Sequence, residues 1–217
     1  MNFNIAVDCV IVGYDSQENR LKVLFTKRVN EPEKGQWALP GGFVKKTETF
    51  EDTAKTILLK ETGLARVFLR QLKAYSLTDA SSLNRIASVA YYALIKYKDV
   101  SVTDSKQPTK WYYFKELPKL PFDHGEKVLA TIERIKDLVR LEPVVYHLLP
   151  KKFPLNQLQK FYEALYDMKI DNRNFRKKIQ KLPYIEKLNE MEINVSHRPA
   201  NLYCFNAAKY EDSLQVY

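Results

Sequence analysis

Several residue types that define whole classes of protein are scarce in this chain of 217 residues. Two cysteines and three scattered histidines exclude a disulfide-rich scaffold and give no zinc-ligand spacing. Because Cys9 and Cys204 lie far apart in apolar, strand-like runs, we expect two small buried side chains in a reducing compartment. No apolar run approaches the roughly 20 residues that a membrane span needs, and the first residues do not resemble a signal peptide. The expected location is therefore the cytoplasm, without membrane contact.

Apolar and basic residues are plentiful by contrast. With 45% hydrophobic and 28% charged residues, the chain can bury a substantial core, so disorder is not expected. The formal charge of +9 suggests an anionic partner. Residues 151–181 carry nine basic and three acidic side chains. Such a run is either a solvated basic face or a nucleic-acid contact, and composition alone leaves both open.

The order of patterns in residues 1–142 predicts an α/β class, with an α/β/α sandwich. Helical periodicity occurs at residues 50–62, with a cap at Thr47 or Thr49, and again at residues 125–140. Apolar or alternating runs predict strands at residues 5–13, 21–27, 67–69, 73–77, 87–97 and 111–114. Strands of mixed connection between helices are typical of a layered sandwich.

The pattern changes at Pro143, where we place the boundary between domains 1–142 and 143–217. Helices are predicted at residues 155–165 and from Asp171 onward. Two strand-like runs follow, the first at residues 185–188 or 191–195 and the second at residues 202–205. Helix, helix and hairpin in this order predict a small winged helix-turn-helix domain.

Residues 41–64 combine a glycine pair, an amphipathic helix and a glycine stop. The spacing of Gly42, Glu48, Gly63 and Leu64 resembles the box of the Nudix family. In that family the helix carries three glutamates that bind divalent metal at a substrate pyrophosphate. The matching six positions here read Thr-Ile-Leu-Leu-Lys-Glu, residues 56–61, so one of the three carboxylates remains.

The altered box predicts that most of the metal chemistry is lost. Positions 57, 60 and 61 share one helix face, and three carboxylates there would hold a hard cation. Ile57 donates nothing, and the ammonium of Lys60 would sit where the cation should be. We therefore predict no catalytic or metal site, with Glu48 and Glu61 as residual box carboxylates and no required cofactor. A carboxylate recruited from elsewhere keeps the alternative open, a hydrolase that needs Mg²⁺.

A pocket can survive the loss of metal ligands. Guanidinium groups fork onto phosphate oxygens, glycine backbone approaches a ligand closely, and aromatic rings stack on bases. The candidate ligand-binding residues are Arg28, Trp37, Gly41, Gly42, Phe43, Asp79 and Arg85. For Trp37 a place in the core is the favoured alternative, and for each arginine a plain surface position is an equal alternative.

The C-terminal third makes the resemblance more specific. After the degenerate box come F-x-L-x-Q-L-Q at residues 153–159, R-N-F-R at 173–176 and R-P-A-x-L-Y-x-F at 198–205. This order resembles the Nudix-related transcriptional regulators, which include repressors of NAD metabolism that sense ADP-ribose and repressors of sugar use. The resemblance implies a homodimer, a double-stranded DNA operator, and an effector that is ADP-ribose or a pentose such as arabinose.

The helix that begins at Asp171 is the expected DNA-reading element. Phe175 and Ile179 would face the core, while arginine and asparagine can read bases and lysine can hold phosphates. The predicted DNA-binding residues are Asn172, Arg173, Arg176, Lys177, Lys178, Lys181 and Arg198. The function predicted is a ligand-responsive repressor with a non-hydrolytic sensor domain. The alternatives are an ADP-ribose or nucleotide-sugar pyrophosphatase and a protein-docking module with a basic face.

Overall fold

The computed structural model describes residues 3–77, 85–100, 107–193, 195–196 and 198–214. A seven-stranded mixed sheet lies between two helices, which confirms the predicted sandwich. The strands are β1 Phe3–Asp15, β2 Arg20–Lys27, β3 Trp37–Ala38, β4 Gly41–Phe43, β5 Phe68–Leu77, β6 Arg85–Lys96 and β7 Thr109–Tyr113. The helices are α1 Phe50–Thr62 and α2 His124–Leu141.

Strand β1 is the centre of this sheet. The strand order is β3-β2-β1-β6-β5, with β4 also paired to β1 and β7 to β2. The β1–β6 pair is parallel, and the other pairs are antiparallel. Val7, Cys9 and Ile11 pack in the cluster that contains α1, while Val10 and Val12 pack in the cluster that contains α2. Because both faces of β1 are covered, its sequence is a nearly continuous apolar run.

Helix α1 begins and ends where its sequence predicts. The Thr49 hydroxyl accepts a hydrogen bond from the Asp52 backbone N–H, and the Asp52 carboxylate accepts one from the Thr49 N–H. This capping box satisfies two backbone donors at the helix start. At the other end Gly63 has a φ of 71°, and its N–H donates to the Leu59 carbonyl. A glycine adopts this left-handed conformation without strain.

The C-terminal part has the predicted order of a winged helix-turn-helix domain. Its elements are β8 Lys152–Pro154, α3 Leu155–Tyr166, α4 Asn172–Ile179, β9 Ile185–Met191, β10 Asn201–Phe205 and α5 Ala207–Leu214. The three strands form an antiparallel sheet in the order β8-β10-β9. Strand β9 covers the first alternative, residues 185–188, and reaches only the first residue of the second, Met191. The sequence patterns did not predict α5.

Buried side chains from both sides of the predicted domain boundary, after residue 142, pack against each other. The position of the boundary itself stays a prediction. A short 3-10 helix, Val144–His147, follows α2, and one cluster of buried side chains includes residues of β1, α2 and α3. The Tyr14 and Phe161 ring centroids lie 5.2 Å apart. The Tyr166 hydroxyl donates to the Lys136 carbonyl at 2.8 Å. The two parts of the chain therefore share one core.

The two strands predicted at residues 67–77 form one strand, β5, with an irregular register between Gln71 and Ala74. Both cysteines are free, and Cys9 is buried as expected, but Cys204 is only half-buried on the smaller sheet. No helix within the described ranges is long and apolar enough to cross a membrane.

Candidate functional site

The glycine pair lies directly against β1. Val7 pairs with Gly42 and Asp8 with Gly41, so β4 extends the sheet at the start of the box. A Cβ atom at Gly41 would collide with the Asp8 carboxylate and would lie 3.0 Å from the Val7 carbonyl oxygen. At Gly42 it would lie 3.9 Å from Cδ1 of Ile57. Close approach to Asp8 therefore requires a glycine at position 41.

The box face of α1 carries a salt bridge in place of a cluster of carboxylates. Ile57 and Glu61 are buried, while the side chain of Lys60 is 48% exposed. The Lys60 ammonium lies 3.0 Å from a carboxylate oxygen of Glu61. Among the residues that the structure describes, no three His, Cys, Asp or Glu side chains group to hold a metal. The donors present do not fit the magnesium ion that the Nudix box implies.

Glu48, the other residual box carboxylate, is held by its neighbours. It accepts hydrogen bonds from the Lys45 ammonium at 2.7 Å and the Thr53 hydroxyl at 3.2 Å. The lysine contact is the main reason that the pKa of Glu48 lies below its ordinary value. Glu48 is thus an anion tied into the turn before α1.

A buried charge cluster that the sequence analysis missed lies beneath the glycine pair. The Lys127 side chain has no solvent exposure, and its ammonium lies 2.7 Å from carboxylate oxygens of both Asp8 and Asp123. It also lies 3.1 Å from the Ser88 hydroxyl, which donates to Asp8. An ion buried this deeply needs several partners to offset its desolvation. The available signal was a charged residue, Asp8, inside an otherwise apolar run.

His124 connects this cluster to the chain just before the glycine pair. Its Nδ1 accepts a hydrogen bond from the Leu39 N–H at 3.0 Å, and its Nε2 lies 3.8 Å from Asp8. Burial lowers the pKa of His124 below its ordinary value. The imidazole is therefore neutral near pH 7, with its proton on Nε2. His124 and Asp8 together fix the backbone on both sides of Pro40.

The predicted ligand residues are only partly brought together. The Arg28 guanidinium lies 5.1 Å from the Phe122 ring centroid, and that ring lies 5.5 Å from His124. Arg28 therefore approaches the same end of α2 as the glycine pair. Phe43 follows that pair with 62% of its surface exposed.

Trp37 is half-buried and meets the Tyr112 ring edge-on at 5.7 Å, which places it beside the main core. Asp79 lies outside the described residues. Arg85 begins β6 opposite Phe3, and its side chain lies outside the described part of the structure.

Helix α4 presents the predicted basic face. The Asp171 carboxylate caps the helix by accepting a hydrogen bond from the Asn174 N–H at 2.8 Å. Phe175 and Ile179 are 8% and 6% exposed and pack into the core. The residues predicted to read DNA from this helix and the following turn are all exposed: Asn172, Arg173, Arg176, Lys177, Lys178 and Lys181.

The turn between α3 and α4 is fixed by two side chains of α3. The Glu163 carboxylate accepts the Ile170 N–H at 2.9 Å, and the Gln159 amide donates to the Ile170 carbonyl at 2.9 Å. The first of these bonds lowers the pKa of Glu163. Arg198 lies exposed in the segment between β9 and β10, so the wing adds a cation to those of α4.

Two protein-family descriptions match the chain. The NUDIX domain matches residues 2–131, and the NrtR DNA-binding winged helix domain matches residues 145–205. The ADPR responsive transcriptional repressor NtrR of Acinetobacter baylyi is 27% identical over 212 residues, which cover 95% of this chain and 84% of the relative. An ADP-ribose pyrophosphatase of Methanocaldococcus jannaschii is 33% identical over 133 residues, 61% of this chain and 75% of the relative.

Solved structures give the same likeness in three dimensions. NrtR of Shewanella oneidensis complexed with a 27mer DNA superposes with a TM-score of 0.81 and 28% identity, covering 95% of both chains. The NUDIX domain of the same protein complexed with ADP ribose gives a TM-score of 0.53 and 28% identity, covering 62% of this chain and 90% of that one. The first similarity spans both parts of the fold, and the second spans the part that contains the degenerate box.

Proposed function

Because the chain belongs to the NUDIX family and its C-terminal part matches the NrtR DNA-binding winged helix domain, we propose that it is a ligand-responsive transcriptional repressor. The observation that carries this proposal is helix α4, whose apolar stripe is buried and whose basic face is exposed. That helix stands in a fold similar over nearly its whole length to a regulator seen on DNA.

In this proposal α4 enters the major groove of an operator. Arg173 and Arg176 read guanine edges, Asn172 reads adenine, and the lysines that follow hold phosphates. Arg176 donates from Nε to the Asn172 side chain at 2.8 Å, so these two groups are positioned together. Arg198 on the wing contacts the neighbouring backbone or minor groove.

We propose a cytoplasmic homodimer, which would place two such helices about one turn of duplex apart and match a palindromic operator. Neither the binding of DNA by α4 nor the formation of the homodimer needs a metal or other cofactor.

The proposed effector is ADP-ribose, bound without hydrolysis. One relative is named for its response to this ligand, and a related NUDIX domain has been solved with it. In this chain Arg28 lies over the Phe122 ring, near the start of α2, and is the candidate phosphate partner. Ile57 and the Lys60–Glu61 salt bridge leave the box without a cation site, so the ligand is sensed and not cleaved.

DNA binding tests the first half of the proposal. Duplexes selected by the full chain from a random pool would be labelled, and fluorescence anisotropy would measure their affinity at increasing salt. We expect binding that weakens steeply with salt, and a loss of about tenfold or more for Arg173→Ala, since a good base contact contributes about 1–3 kcal/mol. Lys119→Ala, an exposed lysine far from α4 in sequence, is the matched control. Failure to select any duplex at low salt would refute the repressor.

The effector is tested on the same complex. ADP-ribose is expected to release the duplex at concentrations where arabinose and other pentoses do not. Release by a pentose alone would assign the chain to the sugar-responsive alternative. If neither ligand changes the affinity, the proposed ligand response is wrong even though DNA binding stands.

The similarity to an ADP-ribose pyrophosphatase favours one second candidate, a hydrolase that needs Mg²⁺. We expect no release of AMP from ADP-ribose when Mg²⁺ is supplied, because the box face offers Glu61 alone, already paired with Lys60. Turnover that falls in Glu61→Gln would establish the hydrolase instead.

A further inference from the structure

A cleft of about 620 Å³ opens where the sandwich meets the winged helix domain. We call it the junction cleft. Its walls come from α1, from the segment between α1 and β5, from the end of β6, and from the 3-10 helix Val144–His147. Leu58, Leu94 and Ile95 form an apolar floor, and Phe68 and Tyr146 add aromatic rings. Its volume lies within the range of small-molecule sites, about 300–1,000 Å³.

The junction cleft is separate from the box face. With about 100° of rotation per residue, Leu58 lies about 100° and Lys55 about 160° around α1 from Ile57. Lys60 and Glu61, which share the face of Ile57, do not line the cleft. A ligand there would therefore touch a different side of the box helix from one bound at the glycine pair.

The cleft is strongly basic. Lys55, Arg66, Lys96 and His147 line it, and no carboxylate is among the lining residues that the structure describes. Lys55 is neutralised in part by Glu51, whose carboxylate lies 2.7 Å away. The other three cationic or titratable groups approach from three different segments. Like charges held around one concave space stabilise an anion placed between them.

We propose that the junction cleft binds a phosphate-bearing anion of nucleotide size. The basic rim supplies the phosphate partners, and the apolar floor with its aromatic walls accommodates a flat, less polar group such as a base. The site is concave and partly enclosed, so it fits a small molecule better than the convex backbone of a duplex. Nothing in this proposal requires the box to be active.

A ligand bound in the junction cleft would contact a residue that packs against the winged helix domain. Tyr146, in the cleft wall, stacks on Phe205 of β10 with ring centroids 4.2 Å apart and planes within 13°. It also lies 5.6 Å from Phe153 of β8. An anion held against Tyr146 and His147 would therefore act on β8 and on β10, the central strand of the smaller sheet.

Isothermal titration of the full chain would test the proposal with AMP, adenosine and inorganic pyrophosphate as probes. We expect AMP to bind, adenosine to bind much more weakly, and pyrophosphate to lie between them. The double variant Arg66→Glu, Lys96→Glu should weaken AMP binding at least tenfold. The control variant Lys119→Glu, Lys187→Glu changes the net charge equally at exposed sites outside the cleft and should change it less than twofold.

A second variant separates loss of the site from loss of folding. Ala65 is exposed and lines the cleft, so Ala65→Trp should fill the space while the unfolding midpoint stays near that of the natural chain. AMP affinity should fall with it. The proposal is wrong if AMP does not bind the natural chain. It is also wrong if AMP binds Ala65→Trp, the cleft double variant and the control double variant with the same affinity. If the cleft variant lowers duplex affinity but leaves AMP binding unchanged, the surface belongs to the DNA contact and the proposal is also wrong.

The imidazole of His147 supplies a local readout. Partial burial against Phe68 lowers the pKa of His147, and the positive charges of Lys96 in β6 and Arg70 in β5 lower it further. Arg70 is itself held by Glu142 through two hydrogen bonds of 3.0 and 2.7 Å. A bound phosphate should raise this pKa, because a neighbouring anion favours the protonated imidazole. An NMR titration of His147 that AMP leaves unchanged would overturn the proposal, whether or not ADP-ribose affects DNA binding.

Discussion

At the scale of single residues, Lys127 joins α2 to the centre of the sheet. Its ammonium, without solvent exposure, lies between the carboxylates of Asp8 and Asp123. Lys127→Met would fill most of the same volume but leave both carboxylates without their cation. Breaking a buried ion pair from one side costs about 3–5 kcal/mol, and urea unfolding should show a loss of this size.

Two further variants make the Lys127 prediction specific. Lys119→Met, at an exposed position, should change the free energy of unfolding by less than about 0.5 kcal/mol. Adding Asp8→Asn to Lys127→Met should recover part of the loss, because one unpaired charge disappears with it. If Lys127→Met is as stable as the exposed control, the buried pair contributes nothing and this account of α2 is wrong.

His124 makes stability depend on pH near neutrality. Burial lowers its pKa in the folded chain below the ordinary 6.5, so below that pH the unfolded chain binds the proton more readily. The contribution of His124 to the free energy of unfolding is therefore fully present above about pH 6.5. It is lost as the pH falls from there toward the pKa of His124 in the folded chain. His147 contributes in the same direction, so wild type must be compared with His124→Gln. The difference in unfolding free energy between them should shrink from pH 7.5 to pH 5.5, and a constant difference would contradict this assignment.

At the scale of elements, local signals explain which parts of the fold the sequence predicts. The bounds of α1 follow from Thr49 and Gly63, and the buried stripe of α4 follows from Phe175 and Ile179 at helical spacing. Pairings that depend on distant residues escape such reasoning. Asp8 and Lys127 meet across 119 positions, and no periodicity relates them. The contact between Gly41 and Asp8 could not be predicted for the same reason, because the position of the Asp8 carboxylate depends on Lys127.

The cap of α4 gives a prediction for an element. Asp171 satisfies a backbone donor in the first turn of a helix only eight residues long, so Asp171→Ala should destabilise the winged helix domain by about 0.5–2 kcal/mol. Because Asn172 and Arg173 lie in that turn, fraying there should also weaken duplex binding. Asp212→Ala, which removes an exposed carboxylate from α5, is the control. Unchanged stability with intact DNA binding would show that the cap is dispensable.

At the scale of the whole molecule, the shared core determines how the two parts unfold. The buried cluster that covers one face of the sheet continues through α2 into α3 and α4. Contacts from both sides converge on Phe161, which is fully buried and meets the Tyr14 ring edge-on. Lys115 and Asp167 add an ion pair across the same junction. Packing that is continuous across a boundary couples the stability of the two sides, so one cooperative transition is expected.

Both tryptophans, Trp37 and Trp111, belong to the larger sheet, so their fluorescence reports on that part, while far-UV circular dichroism follows every helix. The two transitions should coincide in urea. Phe161→Ala lies in α3, yet it should lower the free energy of unfolding reported by tryptophan by about 3–5 kcal/mol, the usual cost of emptying such a site. Met168→Ala, at a side chain 57% exposed, should leave it nearly unchanged. A tryptophan transition that ignores Phe161→Ala while the dichroism splits into two steps would show two independent domains, and an effector bound in the sandwich would then need another route to the DNA-binding helix.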